Sequence, residues 1–242
     1  TLIIFMFESV LIRLNKFISN SGICNRRQAD EYIVQGRVRV NGKILNTLGS
    51  KISLKDVVEL DGKKIIPTKM EYIILNKPKG FHCVHSKSNV KTIFSLISSL
   101  EDVSRFTSLD FLRDNYTGLI VISNDTKFIN QMHNKLQSLI QIFHLKLNID
   151  FLKKDLKIIK DFDSKYNLKI KSINFVDGAN KNEIGLETSA CSIKDIEKIF
   201  LKFDYKIISC DRVLFSNLTK KDLSRGQWRR MKKQELINLK SF

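Results

Sequence analysis

The sequence predicts an α+β protein: a small N-terminal unit of two helices and a small sheet, then a larger unit with a mixed, mostly antiparallel sheet. Strand and helix patterns alternate irregularly, without the βαβ repeat that would predict a parallel sheet. Short strand patterns precede Asn41-Gly42 and Asp61-Gly62, turn dipeptides that are typical of antiparallel hairpins. The chain has 242 residues, 43% of them hydrophobic, which suffices for a packed core without disulfide or metal crosslinks.

The first unit is predicted over residues 13–66, after an N-terminal extension over residues 1–12. Residues 13–20 place apolar side chains at helical spacing, and a Ser-Gly pair then interrupts the helix. Asn25 is predicted to cap a second helix, with Gln28 three residues later as its capping-box partner. Two short hairpins follow, so this unit is a helix-turn-helix joined to a small sheet.

The second unit is predicted over residues 70–242, after a linker at Pro67-Thr68 where the composition changes. Its elements are, in order, a strand over 72–76, a helix over 93–100, a strand over 118–123, a helix over 128–136, a strand over 142–147, a helix over 193–203 and a strand over 206–210.

The charge of the chain predicts a polyanionic partner. Lysine and arginine number 42 against 25 acidic residues, a net charge of +17. Residues 13–66 carry eleven basic and five acidic residues, a net +6, and residues 212–242 carry nine and two, a net +7. RNA, DNA or an anionic membrane surface are therefore the first candidate partners.

Cysteine usage and hydropathy indicate the cellular compartment. The four cysteines are scattered without a C-x-x-C pair, so reduced thiols are expected rather than a disulfide framework. The apolar residues 1–7 are too few to span a bilayer and lack the flanks of a signal peptide. We therefore expect a cytoplasmic protein without membrane association.

A metal site at the His-Cys-rich segment is not expected. His82, Cys83 and His85 fall on a strand pattern in which neighbouring side chains point to opposite faces. No second cluster completes four ligands, as zinc would require.

Four segments resemble a known family. Residues 13–43 (R-L-N-K-F-I-S-N-S-G-I-C-N-R-R-Q-A-D-E-Y-I-V-Q-G-R-V-R-V-N-G-K) resemble the RNA-binding domain named for ribosomal protein S-four. Residues 72–80 (Y-I-I-L-N-K-P-K-G), 118–125 (G-L-I-V-I-S-N-D) and 211–229 resemble rRNA pseudouridine synthases of the RsuA/RluB type. The resemblance implies isomerisation of uridine to pseudouridine without metal or organic cofactor, by a carboxylate with a basic partner and an aromatic stacking residue.

The motif that carries the family's catalytic carboxylate is degenerate in this chain. The family pattern G-R-L-D-x-x-T-x-G-L places the aspartate five residues before the glycine, and counting back from Gly118 reaches Arg113. Arginine is cationic at any working pH and cannot replace that aspartate as a nucleophile. Asp114, one residue late, and Asp110, three residues early, are the two carboxylates left as alternatives.

Two further positions of the resemblance have changed. The family's stacking tyrosine corresponds to Phe143, which can stack on a base but lacks the hydroxyl. In the family's basic helix, Lys194 and Lys198 keep their charge, whereas Glu197 replaces an expected arginine. The sequence therefore predicts an RNA-binding member of the family that is catalytically impaired or inactive.

Three function hypotheses follow from the sequence. The first is an impaired family member that binds ribosomal RNA or a ribosomal precursor particle as a monomer. The second is an active rRNA pseudouridine synthase that uses Asp114 or Asp110, and the third is a general polyanion or membrane-surface binder, which the motifs disfavour. The predicted RNA-binding residues are Arg13, Lys16, Arg26, Arg27, Arg37, Arg39, Lys43, Lys77, Lys79, Arg225, Arg229 and Arg230.

Overall fold

The computed structural model describes residues 11–86, 89–156, 158–159, 169–189 and 192–241. The chain divides into two compact units, Thr1–Lys69 and Met70–Phe242. None of the described helices is long and apolar enough to cross a membrane.

The first unit packs two helices on short antiparallel strands. Its elements are β1 (Leu11–Arg13), α1 (Leu14–Asn20), α2 (Arg26–Val34), β2 (Val38–Val40), β3 (Lys43–Ile44), β4 (Lys51–Ser53), β5 (Val58–Leu60) and β6 (Lys63–Ile65). Strand β1 pairs with β4, and the other four strands form a sheet in the order β3-β2-β5-β6. This arrangement confirms the predicted helix-turn-helix and small sheet.

Local sequence signals account for the first unit. The Asn25 side chain accepts a hydrogen bond from the backbone N–H of Gln28 at 2.9 Å, and the Gln28 side chain accepts one from that of Asn25 at 3.0 Å. The predicted capping box is therefore present at the start of α2. Asn41 and Gly42 both have positive φ angles, 50° and 80°, as a two-residue hairpin between β2 and β3 requires.

The second unit is built on nine strands. They are β7 (Tyr72–Lys77), β8 (Thr107–Ser108), β9 (Thr117–Ser123), β10 (Gln141–Leu147), β11 (Ile170–Phe175), β12 (Glu183–Thr188), β13 (Ile207–Phe215), β14 (Leu218–Thr219) and β15 (Trp228–Arg230). The main path runs β11-β12-β10-β13-β9-β7-β15, with β14 beside β13 and β8 beside β9. Only β13 and β9 pair in parallel among the named strands, so the predicted mixed, mostly antiparallel sheet is confirmed.

Helices cover both faces of this sheet. They are α3 (Thr126–Lys135), α4 (Ile193–Lys202) and α5 (Lys233–Ser241), and the 3₁₀ stretches are Ile93–Ile97, Val103–Arg105 and Leu136–Ser138. One face buries Ile120 and Phe143 of the sheet with Phe200 of α4. The other face buries Val121 of the sheet with Phe128 of α3 and, from α5, Leu239.

The parallel contact between β9 and β13 depends on Gly118. This residue has φ +116°, and a Cβ atom there would lie 2.4 Å from the backbone N and O atoms of Arg212. Only glycine lets the two backbones approach so closely. The β9–β13 contact places the residues before Gly118 beside the middle of β13.

Several elements of the second unit were not predicted from the sequence or were predicted with other bounds. The segment over 93–100, predicted as a helix, is a 3₁₀ stretch that ends at Ile97, and the strand predicted over 206–210 continues to Phe215. Strands β11 and β12, the three-residue β15 and helix α5 were not predicted. In β11 a register shift between Ile170 and Ser172 interrupts the two-residue alternation that would indicate a strand.

Candidate functional site

The Lys77 side chain holds the loop before β9 in place. Its ammonium donates hydrogen bonds to the carbonyl oxygens of Tyr116 at 2.7 Å, Arg113 at 2.8 Å and Asp114 at 3.2 Å. The side chain is 0% exposed, and burial lowers its pKa to about 8. The predicted contact of Lys77 with RNA stays a prediction, and it would require the ammonium to leave these carbonyl oxygens.

Arg113 points toward helix α4 and forms an ion pair there. Its Nη2 atom lies 2.6 Å from Oε2 of Glu197, and the hydroxyl of Tyr116 donates a hydrogen bond to the other carboxylate oxygen. Burial, reinforced by this hydrogen bond, raises the pKa of Tyr116 above its usual value. The family resemblance implies a carboxylate at position 113 and an arginine at position 197. This chain has an arginine at 113 and a carboxylate at 197.

Asp110 also has a cationic partner, on the β13 side of the loop. Nη1 of Arg212 donates to the Asp110 carboxylate and, at 2.9 Å, to Oε1 of Gln141, while Nε donates to the Leu119 carbonyl at 2.8 Å. Arg212 is 1% exposed, and the backbone N–H of Phe111 donates to the other Asp110 oxygen at 2.6 Å. Both oxygens of Asp110 are thus held in place.

Asp114 differs from Asp110 in its surroundings. Its side chain is exposed, and no hydrogen bond or ion pair holds its carboxylate within the described ranges. Only its backbone is fixed, since the Asp114 carbonyl accepts from Gly80 N–H at 2.7 Å as well as from Lys77. Of the two alternative carboxylates, Asp110 is the one with an orienting cation.

A cavity of about 240 Å³ opens beside Asp110. Its lining residues are Asp110, His133, Leu136, Gln137, Gln141, Ser192 and Asp195. Phe143 lies in the core and is 1% exposed, so no face of its ring is open to a base in this structure. Its stacking role stays a prediction, and it would require the core to open.

The predicted RNA-binding side chains fall into two groups besides Lys77. The first group is exposed and makes no ion pair in the part of the chain that the structure describes: Arg13, Lys16, Arg26, Arg27, Arg39, Lys43 and Lys79. The second group is paired, in the ion pairs Arg37–Asp61, Arg225–Asp211, Arg229–Glu235 and Arg230–Glu71. An unpaired cation can neutralise a phosphate without first breaking a contact, so the first group is better suited to bind RNA.

Sequence reasoning missed three residues of this region. Arg212 and Tyr116 were not singled out, and neither was Asp211, which accepts hydrogen bonds from Thr117 at 3.0 Å, from Arg225 at 3.1 Å and from Lys220. Burial alone would raise the pKa of Asp211, but the bonds from Lys220 and Arg225 outweigh it and lower the value. The adjacent Asp211-Arg212 pair inside an apolar strand was the available signal.

The His-Cys-rich segment is held by contacts within the protein. The Cys83 thiol donates to the Leu112 carbonyl at 3.1 Å, and burial raises its pKa. The His85 ring stacks on Phe94 at 3.7 Å between centroids, and its Nε2 atom lies 2.8 Å from the Phe106 carbonyl oxygen. Within the described ranges, no group of three or more His, Cys, Asp or Glu side chains could hold a metal ion.

Comparison with known proteins gives matches along nearly the whole chain. Residues 12–58 match the model of the S4 domain. The chain is 32% identical over 238 residues to an uncharacterized RNA pseudouridine synthase of Aquifex aeolicus (strain VF5), covering 94% of this chain and 93% of that protein. It is also 32% identical over 125 residues to ribosomal large subunit pseudouridine synthase B of Bacillus subtilis (strain 168), covering 51% of this chain and 50% of that protein.

A solved structure matches the fold. The crystal structure of a pseudouridylate synthase superposes with a TM-score of 0.58 at 19% identity, covering 94% of this chain and 99% of that one. At this level of identity the similarity concerns the fold alone.

Proposed function

Since the chain belongs to the RNA pseudouridine synthases of the RsuA/RluB type with an N-terminal S4 domain, we propose that it binds ribosomal RNA and is catalytically impaired. The proposal includes action as a monomer in the cytoplasm, on ribosomal RNA or on a ribosomal precursor particle. The relative from Bacillus subtilis is named for the large ribosomal subunit, which supports ribosomal RNA as the partner class.

The binding half of the proposal is supported by charge on the S4 domain. Arg26 and Arg27 lie in the first turn of α2, exposed, and no acidic residue is present in that turn. The positive end of the helix dipole disfavours cations at this position. Two arginines kept there are consistent with an anion, such as a phosphate, bound at the start of the helix.

The proposal of catalytic impairment rests on one observation, the Arg113–Glu197 ion pair. The resemblance places a carboxylate at position 113 and a basic residue at 197, and this chain has the two charges in the opposite order. The Tyr116 hydroxyl also donates a hydrogen bond to Glu197. In the register that the resemblance implies, an arginine therefore occupies the position from which the family attacks the sugar. A guanidinium cannot act as that nucleophile.

The test is to incubate the full chain with unmodified ribosomal RNA and to map pseudouridine by carbodiimide treatment and reverse transcription. We expect RNA binding without a new pseudouridine. A new site that disappears in Asp110→Ala or Asp114→Ala would contradict the impaired half of the proposal, whereas absence of any binding to ribosomal RNA would contradict the other half.

One observation favours the second candidate, an active synthase. Asp110 is a carboxylate held by a buried arginine, Arg212, at the edge of a cavity, which is the kind of arrangement the family chemistry needs. In that case Asp110→Asn would abolish pseudouridine formation, while Asp114→Asn would retain it because the Asp114 carboxylate has no such partner.

A further inference from the structure

The cavity beside Asp110 has the chemistry of a nucleobase site, and it shares no residue with the Arg113–Glu197–Tyr116 cluster. We propose that this cavity, together with Phe111 and Lys194 next to its lining residues Asp110 and Asp195, binds an unpaired RNA base that carries an exocyclic amino group. The inference deepens the proposed function and rests on it, because it names a second place at which the chain contacts RNA, outside the S4 domain.

The size and the lining of the cavity fit the polar edge of one base. Its volume is about 240 Å³, which lies below the usual range for sites that enclose whole drug-sized ligands. The side-chain amides of Gln137 and Gln141 offer both donors and acceptors, and the carboxylates of Asp110 and Asp195 offer acceptors. Two carboxylates on the wall favour a base edge that supplies N–H donors, so adenine, cytosine and guanine fit better than uracil.

A buried arginine holds two of the residues that line the cavity. Nη1 of Arg212 binds both Asp110 and Gln141, two of the lining residues. Arg212 itself does not line the cavity, so its part is to fix the positions of Asp110 and Gln141.

An exposed aromatic ring belongs to the residue that follows the lining residue Asp110. Phe111 follows Asp110 directly and is 40% exposed, although the ring belongs to a loop whose backbone is well anchored. Nζ of Lys194, the neighbour of Asp195, lies over this ring at 5.8 Å from its centroid. An unpaired base can therefore stack on Phe111 with its edge toward the cavity, while Lys194 neutralises the adjoining phosphate.

The acidic side chains near the cavity already accept hydrogen bonds. Asp195 accepts a hydrogen bond from the Ser192 hydroxyl at 2.6 Å, and its backbone N–H is capped by the same side chain. Glu197 is paired with Arg113, and Asp110 with Arg212. Lys194 makes no ion pair with the described residues, so its ammonium can meet a phosphate without first breaking one.

The test compares the binding of the full chain to labelled single-stranded oligoadenylate, oligocytidylate and oligouridylate and to an RNA duplex of the same length. We expect tighter binding to oligoadenylate and oligocytidylate than to oligouridylate or the duplex. Phe111→Ala should weaken the binding of oligoadenylate about fivefold or more, since stacking contributes about 1–3 kcal/mol per base. Phe111→Trp should retain binding, and Gln137→Leu should reduce the preference over oligouridylate.

Two matched controls keep the result specific. Leu201→Ala removes an exposed apolar side chain from the far end of α4, and Lys206→Ala removes an exposed lysine just before β13. Neither should change the affinity for oligoadenylate, whereas Lys194→Ala should reduce both the affinity and its salt dependence.

The inference is overturned if Phe111→Ala and Gln137→Leu bind all oligomers as the wild type does while ribosomal RNA is still bound, an outcome that leaves the proposed function intact. A preference for oligouridylate would also overturn it and would favour an active site at Asp110. Failure of the wild-type chain to bind ribosomal RNA at all would instead remove the proposed function.

Discussion

At the residue scale, the site is defined by the positions of its charged side chains. Arg113 is 46% exposed and Glu197 only 15%, so the ion pair is anchored on the helix side and its guanidinium faces outward. The Tyr116 hydroxyl fixes the second carboxylate oxygen, which makes the arrangement a three-membered network rather than a single contact. Networks of this kind couple their members more strongly than isolated surface pairs do.

A charge-exchange experiment measures this coupling. Arg113→Asp alone places two carboxylates together, and Glu197→Arg alone places two guanidinium groups together, so each should lower the free energy of unfolding by about 1 kcal/mol. The double variant restores an opposite-charge pair and should recover most of the loss. Urea denaturation followed by circular dichroism measures all four proteins.

The control for this cycle is Arg225→Asp combined with Glu197→Arg, since Arg225 pairs with Asp211 and not with Glu197. The effects of these two substitutions should add. If the effects of the Arg113 and Glu197 substitutions also add, the ion pair contributes nothing to the stability of the native state in solution.

Residue identity was predicted more successfully than residue environment. The sequence marked Arg113, Glu197 and Asp110 as positions of interest, because a local motif and its spacing are enough for that. It did not predict that Arg113 pairs with Glu197 or Asp110 with Arg212, residues 84 and 102 positions apart, because such pairing depends on the tertiary path. The burial of Lys77 was not predicted for the same reason, since it follows from a strand that is covered on both faces.

At the scale of elements, the sheet of the second unit depends on a very short junction. Strands β9 and β13 pair through only two residue pairs, Thr117 with Asp211 and Gly118 with Arg212. This junction connects the β10-β12-β11 side of the sheet to the β7-β15 side. Local patterns predicted β7, β9 and β10, whereas the partners of each strand could not be inferred from them.

Gly118→Ala should destabilise the second unit severely. The new methyl group would lie 2.4 Å from backbone atoms of Arg212, and φ +116° is strained for alanine, so we expect a loss of about 3 kcal/mol or more. Thermal unfolding monitored by near-UV circular dichroism measures the effect.

Gly185→Ala is the matched control for this change. Gly185 lies in β12 without positive φ, and the nearest atom to a Cβ there is the Asn174 carbonyl oxygen at 3.9 Å. The substitution should change stability by less than about 1 kcal/mol. Equal losses in the two variants would mean that the close approach of β9 and β13 is not what requires glycine.

At the scale of the whole molecule, basic charge lies in both units, whereas the network around Arg113 lies in the second. Residues 13–66 carry a net +6 in the first unit, and residues 212–242 carry a net +7 in the second. Composition alone was enough to predict these two basic segments, because net charge does not depend on the fold. Each unit has its own hydrophobic core, so a substitution in the second unit need not alter the fold of the first.

Binding through the S4 domain should depend on Arg26 and Arg27. The double variant Arg26→Ala with Arg27→Ala should weaken the binding of ribosomal RNA and reduce the slope of log affinity against log salt by about 1.5 to 2. Filter binding between low and moderate salt measures the slope. Arg37→Ala should change it less, because Arg37 already pairs with Asp61 at 2.5 Å; an unchanged slope in the double variant would show that these arginines do not touch phosphate.

The pairing of β7 with β15 has a consequence for synthesis of the chain. Leu75 pairs with Trp228, so one edge of β7 has no partner until the 153 residues from Leu75 to Trp228 have been translated. At about 5–20 residues per second that interval is on the order of ten seconds. A ribosome that carries this nascent chain therefore presents a finished S4 domain together with an open strand edge, which needs protection from other chains until β15 emerges.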